Sequence, residues 1–237
     1  MIEIKSITKQ YSKLVAVDDV SFDIRDNECF ALLGLNGAGK TTLINVLSTS
    51  ILPTDGTATI NGFDIIKDRD SVRKIINISP QESAVAKNLT VRENLNLMAE
   101  LYGIENKTSK IDEIIKKFNL EEKADVRCKK LSGGQMRRVS IALAMITEPQ
   151  VLFLDEPTLG LDVKARKALW DIIGELKNKL TILLTTHYLE EVEFLADRIG
   201  IISRGKMKAL GTRDEILSMT QTDTLENAFL NLAEEEQ

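Results

Sequence analysis

Cysteine and histidine are scarce in this chain, and their scarcity limits the chemistry that it can perform. The 237 residues include two cysteines and one histidine. Cys29 and Cys128 lie far apart in the sequence, and neither has a neighbouring His or Cys that would complete a metal site. We therefore expect two reduced thiols, and neither a disulfide framework nor a structural zinc site.

Long apolar runs and an excess of basic charge are also lacking. The longest apolar runs, such as residues 29–35 and 180–184, fall far short of the roughly 20 residues that span a bilayer. The formal net charge is -5, which argues against a broad attraction to nucleic acid phosphates. We expect no nucleic-acid partner, and a role in transport would require a membrane path supplied by another chain.

Length and composition fit one large folded domain. Hydrophobic residues make up 43% of the chain and charged residues 28%, which is ordinary for a globular protein. A chain of 237 residues can form one α/β domain with an inserted lobe. The prediction is a single domain over residues 1–237.

The apolar periodicity divides the chain into three parts. Up to about residue 60, apolar and polar residues alternate, which predicts short strands, a buried strand at 30–33 and a hairpin edge at 57–60. From Thr90 to Met145 the spacing is helical, which predicts an inserted α-helical lobe of about residues 90–146. The rest alternates between strand and helix, which indicates a parallel sheet with helices on both faces. The strands expected here are 75–79, 151–154, 181–185 and 199–203, and the helices expected are 40–47, 163–176 and one from residue 188.

A glycine-rich loop follows the predicted buried strand and precedes a predicted helix. Glycines let backbone N–H groups approach phosphate oxygens closely, and the helix start adds a positive dipole end. Lys40 would reach the β and γ phosphates of a nucleotide, and Thr41 would bind Mg²⁺. The alternative is a glycine-rich turn with a surface lysine. The residues of this loop predicted to bind nucleotide are Gly34, Asn36, Gly37, Ala38, Gly39, Lys40, Thr41 and Thr42.

Two adjacent carboxylates follow the apolar strand predicted at 151–154. Ligands of α/β proteins bind at the carboxyl ends of such strands. Asp155 is predicted to orient Mg²⁺ through water, and Glu156 to act as a general base or to position the attacking water. The alternative is a solvated pair at a strand end, but the apolar residues before the pair and Pro157 after it argue against that.

A second anion-binding helix start is predicted at Leu131-Ser132-Gly133-Gly134-Gln135. Ser132 can cap the helix, and the two glycines free the first backbone amides. Five specified residues in a row arise by chance in roughly a few chains per ten thousand of this size. The glycine-rich loop, this segment and the carboxylate pair follow one another in the order found in the ATP-binding cassette (ABC) transporter family. The chain resembles the nucleotide-binding subunits of that family over nearly its whole length.

The resemblance implies a P-loop NTPase (RecA-like) core with a mostly parallel sheet, an antiparallel β subdomain and an inserted α-helical subdomain. It also implies that Tyr11 stacks on adenine, that Gln81 senses Mg²⁺ and the attacking water, and that His187 contacts the γ phosphate. Residues 132–135, including Gln135, would close over ATP held by a partner subunit, and Asp162 would lie in a loop that crosses the dimer interface.

The function expected from the resemblance is that of an ATP-binding and ATP-hydrolysing subunit of an ABC transporter, with ATP and Mg²⁺ as cofactors. Residues 89–95 and 224–230 look most like those of exporter ATPases of the drug and ABC-2 type. The implied partners are a separate transmembrane permease and a second cassette, in a homodimer or a heterodimer, at the cytoplasmic face of the membrane.

The sequence leaves two other functions open. One is a soluble ABC ATPase that acts on a protein scaffold, as in iron-sulfur cluster assembly. The other is a module that binds ATP but hardly hydrolyses it, against which the intact Glu156 and His187 argue.

Overall fold

The computed structural model describes residues 1–82 and 84–234, with side chains as far as residue 232. Residues 83 and 235–237, which the single-domain prediction includes, lie outside the described part. Within it, the strands are β1 (Ile2–Tyr11), β2 (Leu14–Ile24), β3 (Cys29–Leu33), β4 (Asp55–Ile60), β5 (Phe63–Asp64), β6 (Ile76–Ser79), β7 (Val151–Asp155), β8 (Thr181–Thr186), β9 (Arg198–Ser203) and β10 (Lys206–Gly211). The helices are α1 (Lys40–Leu47), α2 (Arg69–Ile75), α3 (Val91–Leu101), α4 (Lys107–Lys117), α5 (Gly133–Met145), α6 (Val163–Leu176), α7 (Leu189–Leu195), α8 (Arg213–Thr220) and α9 (Leu225–Glu234).

Two sheets form the scaffold. The first is antiparallel, with the strand order β2-β1-β4-β5. The second has the order β10-β9-β3-β8-β7-β6, in which all neighbours run parallel except β10, which pairs antiparallel with β9. The predicted α/β class, with a mostly parallel sheet beside an antiparallel one, is confirmed.

The central strands are apolar throughout because both of their faces are covered. Every residue of β3, β7 and β8 is buried. Along β7, Leu152 and Leu154 point into one apolar cluster, which they share with residues of α3, α4 and α5. Val151 and Phe153 point into the other cluster, which they share with residues of α1 and the antiparallel sheet.

Side-chain caps fix the starts of several helices. The Thr90 hydroxyl accepts from the N–H of Glu93 at α3, and the Ser132 hydroxyl accepts from the N–H of Gln135 at α5, each within a reciprocal capping box. The Asp162 carboxylate accepts from the N–H of Ala165 at α6, 2.8 Å away. Two of these three helix starts carry residues of the predicted site.

Several elements have no counterpart in the sequence prediction. They include α2, β10 and α8. The only buried residue of α2 is Val72, and the only one of α8 is Ile216. A single buried position gives no readable period, and β10 begins with two lysines in three residues.

Both cysteines are buried free thiols, as predicted from the sequence. Burial raises the pKa of Cys29 to about 12, which keeps its thiol protonated. Among the described residues, no helix has both the length and the apolar character needed to cross a bilayer.

Phe153→Ala tests the placement of the core. The ring is fully buried, so its removal leaves a cavity that should cost about 3–5 kcal/mol of unfolding free energy, measured as a lower urea midpoint. Leu101→Ala is the control, because that side chain is 70% exposed and should change stability by about 0.5 kcal/mol or less. Equal losses for the two variants would contradict the burial of Phe153.

Candidate functional site

The glycine-rich loop lies between the end of β3 and the start of α1. Its backbone passes close to two other segments. A Cβ at Gly34 would lie 2.5 Å from the carbonyl oxygen of Ile202, and one at Gly39 would collide with that of Ala16. Gly39 also has a φ of 105°, in the left-handed region that favours glycine. The loop therefore requires glycine at both of these positions.

The Lys40 ammonium lies inside this loop. The side chain is 4% exposed, and Nζ donates to the carbonyl oxygens of Gly34 at 2.7 Å and Leu35 at 3.0 Å. Nζ also lies 3.2 Å from Glu156 Oε1. A lysine has three N–H donors, so these acceptors use all of them. An anion that enters the loop and binds Lys40 must replace at least one of the three acceptors.

Asp155 ends β7 with its carboxylate among hydroxyl groups. Its Oδ1 accepts a hydrogen bond from Thr185 Oγ1 at 2.5 Å and another from Thr41 Oγ1 at 3.2 Å. The side chain is 2% exposed. A carboxylate beside a hydroxyl oxygen offers the kind of ligand that Mg²⁺ prefers.

Glu156 lies between a cation and the single histidine. Its Oε2 is 3.1 Å from His187 Nδ1, although the two atoms are not aligned for a hydrogen bond and neither has another partner among the described residues. The Glu156 backbone has a φ of 45°, a conformation that costs a non-glycine residue about 1–3 kcal/mol. Its N–H is held by the carbonyl and hydroxyl oxygens of Thr185, each at 3.1 Å. The strained backbone aims the carboxylate back at the loop.

A cavity of about 630 Å³ joins most of these groups. Its size is within the range of small-molecule sites, roughly 300–1,000 Å³. Tyr11, which is 44% exposed at the end of β1, lies on its wall, and so does Gln81. Gly34, Ala38, Asp155 and His187 are not among its lining residues. The predicted site residues that line it are Tyr11, Asn36, Gly37, Gly39, Lys40, Thr41, Thr42, Gln81 and Glu156.

A larger cavity of about 860 Å³ lies at the other end of the parallel strands. Its walls include Asn61, Lys110 and Lys179, and none of the residues predicted from the sequence to bind nucleotide or metal. This cavity shares no lining residue with the cavity at the glycine-rich loop.

The remaining predicted residues lie together on a separate surface. Ser132, Gly134 and Gln135 line a cavity of about 350 Å³ with Asp162 at the start of α6. Gly133 is the first residue of α5 in the same segment. None of these residues lines the cavity at the glycine-rich loop. In a single copy of the chain, the predicted site residues therefore lie in two separate groups. The roles of both groups stay predictions.

Two residues that matter to the site were missed by the sequence analysis. Thr185 holds both Asp155 and Glu156, but in the sequence it is one of two threonines at the end of an apolar strand. Arg137 donates to backbone carbonyls on both sides of Glu156, but in the sequence it stands beside Arg138 with nothing to distinguish it. For Thr185 the missing signal is the pairing of β7 with β8, and for Arg137 it is the packing of α5 against the end of β7.

Sequence comparison places this site in a known family. Residues 17–159 match the family described as ABC transporter. Over 218 residues the chain is 41% identical to the doxorubicin resistance ATP-binding protein DrrA of Mycobacterium tuberculosis, covering 90% of this chain and 66% of DrrA. Over 228 residues it is 37% identical to the linearmycin resistance ATP-binding protein LnrL of Bacillus subtilis, covering 95% of this chain and 73% of LnrL. The chain thus spans about two thirds to three quarters of the length of these relatives.

Comparison with solved structures agrees with the family match. The dimeric structure of a post-hydrolysis state of the ATP-binding cassette MJ0796, bound to ADP and Pi, matches with a TM-score of 0.80 at 26% identity, over 90% of this chain and 98% of that one. The fold and the site geometry, taken with these matches, lead to one conclusion: the chain belongs to the ABC transporter family, as one of its ATP-binding and ATP-hydrolysing cassettes.

Proposed function

We propose that this cassette is the ATPase subunit of an exporter and that it powers a separate transmembrane permease from the cytoplasmic face of the membrane. The observation that carries the proposal is the Glu156 carboxylate, held at the phosphate loop 3.2 Å from Lys40 Nζ and 3.1 Å from His187 Nδ1. The names of DrrA and LnrL, both resistance ATP-binding proteins, support the exporter assignment. They give no support to the alternative of an iron-sulfur scaffold ATPase.

The nucleotide is assigned to the cavity at the loop. Its triphosphate would lie along residues 34–42, where backbone amides and the start of α1 favour negative charge. Lys40 would exchange its present acceptors for β and γ phosphate oxygens. The exposed ring of Tyr11, which lines the same cavity, would stack on adenine.

Mg²⁺ fits the residues present only together with phosphate oxygens. Such ions are bound in nucleotide sites by one or two carboxylates plus phosphates. The described residues contain no cluster of three or more His, Cys, Asp or Glu that could hold a metal by itself. Thr41 would bind the ion through Oγ1, Asp155 through water, and Gln81 would face it from the loop after β6. When bound, the ion would neutralise charge on the β and γ phosphates.

Hydrolysis would use Glu156 as the base. The oxygen of water attacks the γ phosphorus in line with the bond to ADP, and that bond breaks as the new one forms. Once phosphate has drawn Lys40 away, Glu156 is free to orient the water and accept its proton. Gln81 would help to align the water, and His187 would stabilise the charge that develops on the γ phosphate.

The second group of residues is assigned to the nucleotide of another copy. Residues 132–135 and Asp162 lie outside the loop cavity of their own chain, and in our proposal a partner brings the two groups together. The dimeric form of MJ0796 supports such pairing. The partner can be a second copy of this chain or another cassette. The lobe of residues 90–146, within a single ABC ATPase domain, would pass closure of the dimer to the permease.

Glu156→Gln should lower kcat for ATP hydrolysis by about 100-fold or more, because the amide cannot accept the proton of water. ATP binding should persist, and the variant should run as a nucleotide-bound dimer on gel filtration. Glu193→Gln on α7 is the control, since its exposed carboxylate pairs with Arg213 and should leave kcat unchanged. Full turnover by the Glu156 variant would refute the assignment of the base.

Lys40→Ala should weaken ATP binding itself. Loss of a charge-assisted hydrogen bond costs about 1.5–3 kcal/mol, which corresponds to about a 10- to 100-fold rise in Kd. Isothermal titration with MgATP measures it. Lys74→Ala on the exposed face of α2 is the matched control and should bind as the wild type does. An unchanged Kd in the Lys40 variant would contradict our placement of the phosphates.

A further inference from the structure

The guanidinium of Arg137 is buried behind the nucleotide cavity. The residue lies in the second turn of α5 and is 5% exposed. All three of its nitrogens donate to backbone carbonyl oxygens. Nε donates to Pro157 at 2.8 Å and Nη2 to Asp155 at 2.7 Å. Nη1 donates to Pro80 and, at 3.4 Å, to Gln81.

These carbonyls belong to two segments that carry predicted catalytic groups. Pro80 and Gln81 follow β6, while Asp155 and Pro157 flank Glu156 at the end of β7. A guanidinium is planar and presents its donors in a fixed fork, so it sets the spacing between the groups that it binds. The flexible ammonium of lysine would not do so.

Glu191 is a buried acid whose charge, after that of Asp155, compensates the charge of Arg137. It is 0% exposed on α7, four residues after His187. Burial lowers the pKa of Arg137 to about 10, and the charges of Asp155 and Glu191 oppose that fall. Burial likewise raises the pKa of Glu191, and Arg137 is among the groups that oppose the rise. Each charge thus favours the ionised state of the other.

Glu191 accepts a hydrogen bond from α6, and two nearby hydroxyl groups favour its charged form. Its Oε1 accepts from Trp170 Nε1 at 3.1 Å, and the hydroxyls of Thr186 and Thr158 also lower its pKa. Thr158 follows Glu156 by two residues, and Thr186 precedes His187. Arg137 is thus hydrogen-bonded to the segments that carry Gln81 and Glu156, and Glu191 lies near the segments that carry Glu156 and His187.

We propose that Arg137 is a positioning residue for ATP hydrolysis, which ties α5 to the Gln81 loop and to the end of β7, with Glu191 as its counter-charge. The proposal rests on the ATPase role given to Glu156 above. Helix α5 would then have two roles. Its start carries the second anion-binding group, and its second turn sets the spacing between Gln81 and Glu156.

Arg137→Lys tests this. The charge is kept and the fork is lost, so kcat should fall about 10- to 100-fold, as expected for a small displacement of catalytic groups, while the Kd for MgATP changes less than about threefold. Arg198→Lys is the matched control. Arg198 is a largely buried arginine that donates to the carbonyl of Asp23 and lies near Glu28, at the opposite end of the parallel sheet. Its substitution should leave kcat unchanged.

A double-mutant cycle separates positioning from general damage. If Arg137 acts through the Gln81 loop, Gln81→Ala should lower kcat much less in the Arg137→Lys background than in the wild type. Additive effects of the two substitutions, or an equal loss of kcat in the Arg198 control at equal thermal stability, would overturn the proposal. So would wild-type kcat in Arg137→Lys.

Glu191→Gln decides the case if Arg137→Lys does not fold. The amide keeps an acceptor for Trp170 and removes the counter-charge, so kcat should fall about tenfold and the emission of the single tryptophan should shift. Wild-type kcat in this variant would overturn the proposal. A wild-type chain that binds MgATP without hydrolysing it would instead contradict the proposed function, which keeps the two failures distinct.

Discussion

The ion pair between Lys40 and Glu156, with both side chains less than a tenth exposed, holds the site in its present arrangement. A buried pair of this kind is stable only when each charge has good partners. Lys40 has two carbonyl oxygens besides the carboxylate, whereas the second oxygen of Glu156 lies near His187 without a hydrogen bond, so the carboxylate is the less satisfied member of the pair. A triphosphate offers Lys40 stronger acceptors, so in our proposal binding exchanges the partners of the lysine and releases the carboxylate. Nucleotide binding and preparation of the base would then be one event.

The parallel sheet makes this exchange possible because its strands end at one edge. The ends of β3, β7 and β8 place Lys40, Glu156 and His187 side by side, and the end of β6 adds Gln81. The start of α5 lies elsewhere on the surface, in the cavity that includes Asp162. In our proposals a partner supplies that second group, and Arg137 links its movement to the groups that act on water.

Much of the fold and part of the site could be predicted from local sequence patterns. The strand at 30–33 and the helices at 40–47 and 163–176 have strong apolar periods or a glycine-rich loop beside them, and they were predicted almost to the residue. Short elements such as α2, with one buried residue, gave no such signal. The pairing of Glu156 with Lys40 joins residues far apart in the chain, so it could not be read from the sequence. Arg138, next to Arg137, donates to carbonyls of the helical segment instead, and only the packing tells the two arginines apart.

A crystal structure of the full chain with Mg²⁺ and a non-hydrolysable ATP analogue tests the central claim most directly. We predict that Lys40 Nζ leaves Glu156 for the β and γ phosphate oxygens, and that residues 132–135 of a second copy face the γ phosphate. A Lys40 still paired with Glu156 beside a fully bound nucleotide would contradict it.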